Sequence, residues 1–436
     1  MLRVKREFGS VFFFRAMQQM GLFLTVLMFA VVPQVSMAAE ALVKGEFRPD
    51  RLNPQKNQFD LSKSQVSRYG YCAIVDKSFC PSRGILEMEI GGQPIVTYLP
   101  IPANSGGLKI SGDGRWRSVD IVSAAGEHNT VQVRLAGGSI AFRPGRNAGA
   151  PSSQAWRSWL PAGVVAASEA EAYKLIFGHD NSRLGSCPND GGRQNGTGYN
   201  IPLFLTLFPA GVAQTDCVGQ NQYAIEVAYY DKSPHLYIEV LSPSPLSMIA
   251  GDYTGYINYR IGAGGDIDFG VGITDPELNI RFEFTVVHDF GVTFPGGSNL
   301  LSLVPEGGWM AWLQRGRKPT RLFRDQKFDL AASASFRMSV VCEYPEGASC
   351  GIRNDSGHQV PVDIGVTLPN FRDTSNQPVS KYPLASAVSP WFRHAGYYVG
   401  KATLHFEVPK ADMETMLAHS GSRYSGNVTI LFEPEF

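Results

Sequence analysis

Apolar and polar residues alternate with a period of two in runs spread from residue 85 to the C-terminus. Ile85–Ile90 follows Gly84 and reaches a turn at Gly91-Gly92. Thr130–Leu135 alternates and is expected to stop at Gly137-Gly138. Tyr223–Tyr230 and Leu236–Leu241 flank Lys232-Ser233-Pro234, and Ile280–Val287, Phe336–Cys342, Thr403–Val408 and Val428–Phe432 continue the pattern. Such runs, rich in β-branched and aromatic residues between Gly/Pro turns, predict strands. Their recurrence predicts an all-β chain of two tandem β-sandwich domains. Helical periodicity is confined to Ser168–Leu175 and Ala411–Ala418. Gly145–Gly163 and Cys187–Asn200 read as loops. The glycine-rich Gly262–Gly272 and the turn Thr274–Glu277 place a boundary near 280, dividing the chain into residues 39–280 and 281–436.

Composition agrees with this division. The 46 Gly and 28 Pro among 436 residues suit many turns, and 44% hydrophobic against 18% charged residues permits a core. At the start, Arg3, Lys5 and Arg6 precede the apolar Gly21–Val32, and Ser36-Met37-Ala38 offers small residues before a cleavage point. This is the pattern of a secretory leader over 1–38. Removing it takes away Arg3, Lys5, Arg6, Arg15 and Glu7, so the balance of 39 positive and 39 negative charges becomes 35 against 38. A mildly acidic exported chain is no nucleic-acid binder by charge.

Export gives the six cysteines a meaning, because an even set in an oxidising compartment is normally paired. Proximity in sequence favours Cys72–Cys80, Cys187–Cys217 and Cys342–Cys350. No Cys-x-x-Cys is present, so no metal site and no cofactor are expected. The eight histidines are scattered, and the nucleophile-elbow, dinucleotide and phosphate-loop motifs are absent. Asp266 and Asp268 lie two apart as the one noted carboxylate pair, read first as a solvated strand face and second as glycosidase chemistry.

The C-terminal segments Gly400–Val408 (GKATLHFEV) and Tyr424–Phe436, which contains SGNVTILFEP, resemble the C-terminal hairpin of the CfaE/CblD family. These are the tip adhesins and pilus initiators of alpha-clade, or class 5, chaperone–usher fimbriae. FTVVHDFGVTFPGG from Phe284 and VPVDIGVTLP from Val360 resemble the family's pilin half. RYGYC from Arg68, followed by Cys80-Pro81, resembles the first disulfide loop of its adhesin half.

The resemblance implies an N-terminal adhesin domain and a C-terminal immunoglobulin-like pilin domain lacking its last strand. Such a domain accepts a strand from a periplasmic fimbrial chaperone, then one from the major pilin subunit, as assembly proceeds through the outer-membrane usher. The implied receptor is a host-cell surface glycan or glycoprotein, the implied location the fimbrial tip, and no enzymatic activity is implied. Ala39–Asp60, charged and proline-containing, reads as lacking a long alternating donor strand, so the subunit is expected to accept a strand and donate none. Receptor-binding residues implied are Arg68 and Arg260, near the places of the family's distal arginines. Arg115, Trp116 and Arg117 add a guanidinium pair around an aromatic platform. The alternative is an exported β-sandwich carbohydrate-active protein or enzyme.

Overall fold

The structure is a computed structural model. It describes residues 39–435 apart from 69, 75, 92–97, 104–107, 142, 146–159, 169–170, 173–174, 176–186, 188–202, 220–221, 230–232, 297–299 and 317. The expected leader lies outside the described residues. So do most of the two expected loops and half of the Ser168–Leu175 segment.

The chain is all-β. Its first half runs β1 (Ala39–Phe47), β2 (Ile85–Glu89), β3 (Tyr98–Ile101), β4 (Leu108–Gly112), β5 (Arg117–Ser123), β6 (His128–Ala141), β7 (Arg143–Gly145), β8 (Leu203–Leu207), β9 (Thr215–Gly219), β10 (Ile225–Tyr229), β11 (His235–Leu241), β12 (Gly251–Arg260), β13 (Ile267–Asp268) and β14 (Glu277–Val286). A short helix α1 (Tyr71–Ile74) lies after β1. The main sheet has the order β1-β14-β12-β5-β6-β11-β2, with β8 added to β6. Two three-stranded sheets, β3-β10-β7 and β13-β4-β9, accompany it.

Period-two burial explains the core. On β14, Leu278, Ile280, Phe282, Phe284 and Val286 point inward and are buried, while Asn279, Arg281 and Glu283 between them are partly exposed. At about 25 cal/mol per Å² of apolar surface, such a row is worth several kcal/mol.

The boundary expected at 280/281 falls inside this strand, which pairs along its whole length with β12 and β1. The glycine-rich stretch before it is not a linker. Ile261, Ile267, Phe269, Val271 and Ile273 alternate within it and are buried in the first core. The passage to the second core therefore lies after Val286.

Two further expectations change. The β6 strand does not stop at Gly137-Gly138 but continues to Ala141. Gly137 has φ 155°, and a Cβ there would fall 2.1 Å from the Thr206 carbonyl of β8. The glycines are a bulge, matched by a register shift against β11, and not a turn. The N-terminal segment also holds an alternating strand after all. β1 buries Ala41, Val43 and Phe47 and pairs in parallel with β14, from Ala39 opposite Leu278 to Phe47 opposite Val286. The Phe284 ring lies against Gly45, where a Cβ would stand 2.4 Å from it, and the Phe59 ring meets Phe284 edge-on at 4.7 Å.

The second half runs β15 (Phe290–Thr293), β16 (Val304–Pro305), α2 (Trp309–Arg315), β17 (Leu322–Ala332), β18 (Phe336–Cys342), β19 (Pro345–Glu346), β20 (Ser349–Arg353), β21 (Gln359–Arg372), β22 (Pro378–Pro383), β23 (Trp391–Phe392), β24 (Tyr398–Val408), α3 (Lys410–Ala418) and β25 (Val428–Pro434). One sheet has the order β15-β17-β24-β21-β20-β19, with β16 beside β17 and β22 beside β21. The other has the order β23-β18-β25. The two enclose a separate core that includes Phe328, Phe336, Val362, Val366 and Leu404. β24 and β25 were expected to form a hairpin, but they lie in different sheets: β24 pairs β17 and β21, and β25 pairs β18. The α3 helix between them carries the chain from one sheet to the other.

All three expected disulfides are present: Cys72–Cys80, Cys187–Cys217 and Cys342–Cys350. The third joins β18 of one sheet to β20 of the other.

Candidate functional site

The last strand is the first feature of note. β25 is hydrogen-bonded to β18 from Val428 opposite Cys342 to Pro434 opposite Phe336. Among the described strands it has no partner on its other edge. Backbone N–H and C=O groups on that edge are therefore free to pair with an added strand. Beside the edge lies apolar surface. Val428 and Ile430 are buried, whereas Phe432 is only partly so. Phe328 sits between Phe432 at 5.7 Å and Phe294 at 5.4 Å, and Phe336 between Phe432 at 6.3 Å and Phe290 at 5.2 Å. Phe290, Val292, Phe294, Leu301 and Leu303, all half-buried, line the other side. The resemblance pointed to β25, but this second wall was missed. Its residues alternate only in two short runs, Phe290 to Phe294 and Leu301 to Leu303, too brief to read as one face.

The arginines form a second feature. Asp113 and Asp266 gather three of the four expected ones. Asp113 ends the run before β5 and turns back on itself, its Oδ1 accepting the Arg115 N–H at 3.0 Å and the Arg115 guanidinium at 2.9 Å. Arg117 donates to Asp266 at 2.6 Å and stands over the Tyr259 ring at 5.0 Å. The backbone N–H of Arg260 donates to Asp266 at 2.7 Å, because the loop after β12 folds back through Gly262 and Gly265. Burial pushes the Asp266 carboxyl up, but the Arg117 guanidinium and the Arg260 N–H outweigh it, so the group is held below the ordinary value. Asp113 is also held low, chiefly by Arg115.

Trp116 is half-buried, with the Arg134 guanidinium 5.5 Å from its ring centre, so that face of the expected platform is taken. Arg115 and Arg260 are exposed. Arg68 is exposed but stands apart. Its neighbour Ser67 donates to the Glu87 carbonyl on β2, three strand spacings from β5, or about 14 Å across the sheet. The paired acids were not foreseen as partners. Asp113 precedes Arg115 by two residues and was open to recognition, whereas Asp266 reaches Arg117 across 149 positions.

Near Arg68, Glu87 is buried under the first disulfide. It accepts the Tyr71 and Cys72 N–H groups, each at 2.8 Å, and the Tyr237 hydroxyl at 2.7 Å. Burial raises its pKa. Cys72 and Cys80 lie close enough to Glu87 to suggest a metal site, but both sulfurs are committed to the disulfide.

No protein-family profile matches the chain. No curated protein is similar to it in sequence. Among solved structures, a mutant of the CFA/I adhesin CfaE of enterotoxigenic E. coli aligns over 92% of this chain and 93% of its own, at 8% identity and a TM-score of 0.23. The tip subunit of the CsuC–CsuE chaperone–tip adhesion subunit complex, from the archaic chaperone–usher Csu pili of Acinetobacter baumannii, aligns over 91% of this chain and 98% of its own, at 9% identity and a TM-score of 0.23. The CupB6 tip adhesin of Pseudomonas aeruginosa aligns over 79% of this chain and 95% of its own, at 8% identity and a TM-score of 0.23. Each of the three is an adhesin or a tip adhesion subunit.

Proposed function

We propose that this chain is a non-enzymatic tip adhesin of a chaperone–usher fimbria. The residues up to Val286 form the receptor-binding domain, and those from Phe290 form an incomplete pilin domain. The observation that carries the reading is the free edge of β25 beside an apolar wall. An edge of this kind is an aggregation hazard unless a strand covers it. A periplasmic chaperone covers it first and the N-terminal strand of a major pilin replaces it, the usher coordinating the exchange. The subunit's own N-terminal strand supports a tip position. β1 is already spent in the chain's own first sheet, so it is not available to a neighbour.

The receptor is a host-cell surface glycan or glycoprotein met by Arg115 and Arg260, with Arg117 and Trp116 behind them; Arg68 belongs to a separate patch. Guanidinium forks suit carboxylate or sulfate groups on sugars. The carbohydrate-hydrolysing alternative is disfavoured at this cluster. A glycosidase needs one carboxyl with a raised pKa as proton donor, and Asp113 and Asp266 are both held low.

The deciding experiment expresses the exported chain with and without a synthetic donor-strand peptide taken from the co-exported major pilin. The peptide is expected to convert an aggregating protein into a stable monomer. A chain that folds fully and stays monomeric without chaperone or peptide would refute the reading.

A further inference from the structure

The α2 helix is turned inside out. At 3.6 residues per turn, Trp309, Met310, Trp312 and Leu313 fall within an arc of about 160°, with Ala311 opposite. A surface helix normally buries its apolar arc. Here Ala311 turns back to the Gly307 turn, its Cβ 3.7 Å from the point where a Gly307 side chain would begin. The large side chains face out: Trp309 is 42% exposed, Met310 57% and Leu313 74%. No residue of α2 is buried, and the two Trp rings lean on each other at 6.0 Å. Exposed Arg315 and Lys318 follow. Arg321, beyond them, is already held by Glu306 at 3.2 Å and Glu407 at 3.1 Å.

Strand register places this helix. β17 begins at Leu322, opposite Val408 and Pro305, and ends at Ala332, opposite Phe290 and Tyr398. The Ala332 end is the junction with the first half, where Ser333 bonds to Asp289 and His288. The α2 helix is inserted between β16 and β17, so it sits at the opposite pole, about 30 Å away along an 11-residue strand. β25 runs between the same poles. Pro434 lies opposite Phe336 near the junction, and Val428 lies opposite Cys342 at the α2 end. A strand laid along β25 must therefore leave its globular body at one of two ends, and the first half occupies one of them. The body belongs at the pole that carries α2.

We propose that the outward face of α2 docks on the body of the strand-donating pilin, which presents an apolar patch bordered by carboxylates to meet Arg315 and Lys318. Trp, Met and Arg are the residue types enriched in the core of such interfaces. The inference rests on reading β25 as a strand acceptor.

The test uses the full exported chain held in complex with its periplasmic chaperone and measures two affinities by displacement: one for the donor-strand peptide alone, the other for the intact major pilin that carries it. The variant is Trp309→Ser/Met310→Ser/Leu313→Ser. These three side chains are exposed and pack into no core, so an unchanged melting temperature is expected. Peptide affinity should stay within about twofold, while affinity for the intact pilin should fall by about tenfold or more. The charge variant Arg315→Glu/Lys318→Glu should weaken the intact pilin alone, and by less as salt rises. Pilin affinity unchanged in the triple variant, with peptide binding intact, overturns this inference and leaves the acceptor reading standing. Failure of the unaltered chain to bind the peptide overturns both. Binding of the unaltered chain to phosphatidylglycerol vesicles, lost in the triple variant while pilin affinity stays constant, reassigns α2 to a lipid surface.

Discussion

Single side chains in this protein carry charge problems that their sequence neighbours do not reveal. His235 is one of eight scattered histidines. In the structure it is buried on β11, and neither ring nitrogen has a hydrogen-bond partner among the described residues. Burial lowers its pKa from 6.5 to about 4. The unfolded chain therefore binds a proton that the folded chain refuses, and stability is lost as pH falls from 6.5 towards 4. The loss from this one group reaches about 3 kcal/mol. Melting temperatures at pH 7 and pH 5 should diverge in the unaltered protein and converge in His235→Leu; an equal divergence in both would exclude His235 as the cause. Glu46 acts in a lower window. Lys63 and Arg48 pull its pKa from 4.5 to about 2, so its contribution fades only as pH falls below 4.5. The arginine cluster yields a binding prediction. Arg260→Ala and Arg115→Ala should each weaken attachment to receptor-bearing cells with folding intact, and Arg68→Ala should act independently of them because it lies on a different part of the sheet. Undiminished attachment in all three would reject the assignment.

Among the elements, β1 shows how an alternating pattern can be hidden. AEALVKGEF carries its period in Ala41, Val43, Gly45 and Phe47, and a glycine among the inward positions masks it. The Phe284 ring fills the place that a side chain on Gly45 would take. Removing Ala39–Phe47 should leave the β14 edge open and destabilise the first half by several kcal/mol. Adding the nine-residue peptide in trans should restore the melting temperature. Phe47→Ala alone, at a side chain 1% exposed, should cost about 3–5 kcal/mol by denaturant titration. In the second half, Cys342–Cys350 closes a short loop and ties the two sheets together. Replacing both cysteines by Ser should cost about 2–3 kcal/mol and should loosen β18, the only described partner of β25. Faster amide exchange across Val428–Ile430 would register that effect. Exchange rates unchanged there would show that the core alone holds the edge strand.

At the scale of the whole molecule, three residues join the halves. Val287 donates to the Phe47 carbonyl at 3.1 Å. His288 lies 2.7 Å from the Met248 carbonyl through Nε2 and 3.0 Å from the Ser333 hydroxyl through Nδ1. The Met248 carbonyl can only accept, so Nε2–H donates to it, and Nδ1 faces the Ser333 hydroxyl. Asp289 takes both arms of Arg51, at 2.8 and 2.9 Å, and also accepts from the Tyr397 hydroxyl. Arg51 holds the Asp289 carboxyl low, and burial together with Asp289 pushes Tyr397 up to about 12. The Arg51 side chain is 58% exposed, so the pair adds little to stability. Asp289 nevertheless ties Arg51 of the first half to Tyr397 of the second. Arg51→Ala should shift the melting temperature by no more than a few degrees, yet broaden the distance distribution between spin labels placed on the two halves. A distribution as narrow as that of the unaltered protein would assign the orientation to His288 and the backbone instead.

The sequence by itself determined the class and eight of the described strands. A period of two is a local property, written wherever one face of a strand is buried and the other is wet. It also suggested the cysteine pairing by proximity, two of the three bridges joining cysteines eight positions apart. It carried the resemblance that marked β25 as a final strand. Partners distant in sequence were decided only by the tertiary structure. Arg117 finds Asp266 because β5 and the loop after β12 meet in space, and β1 finds β14 across more than 200 positions. That the first core reaches Val286 was also decided there. Glycine marks both a linker and a close approach, and only the burial of Ile267, Phe269, Val271 and Ile273 tells one from the other.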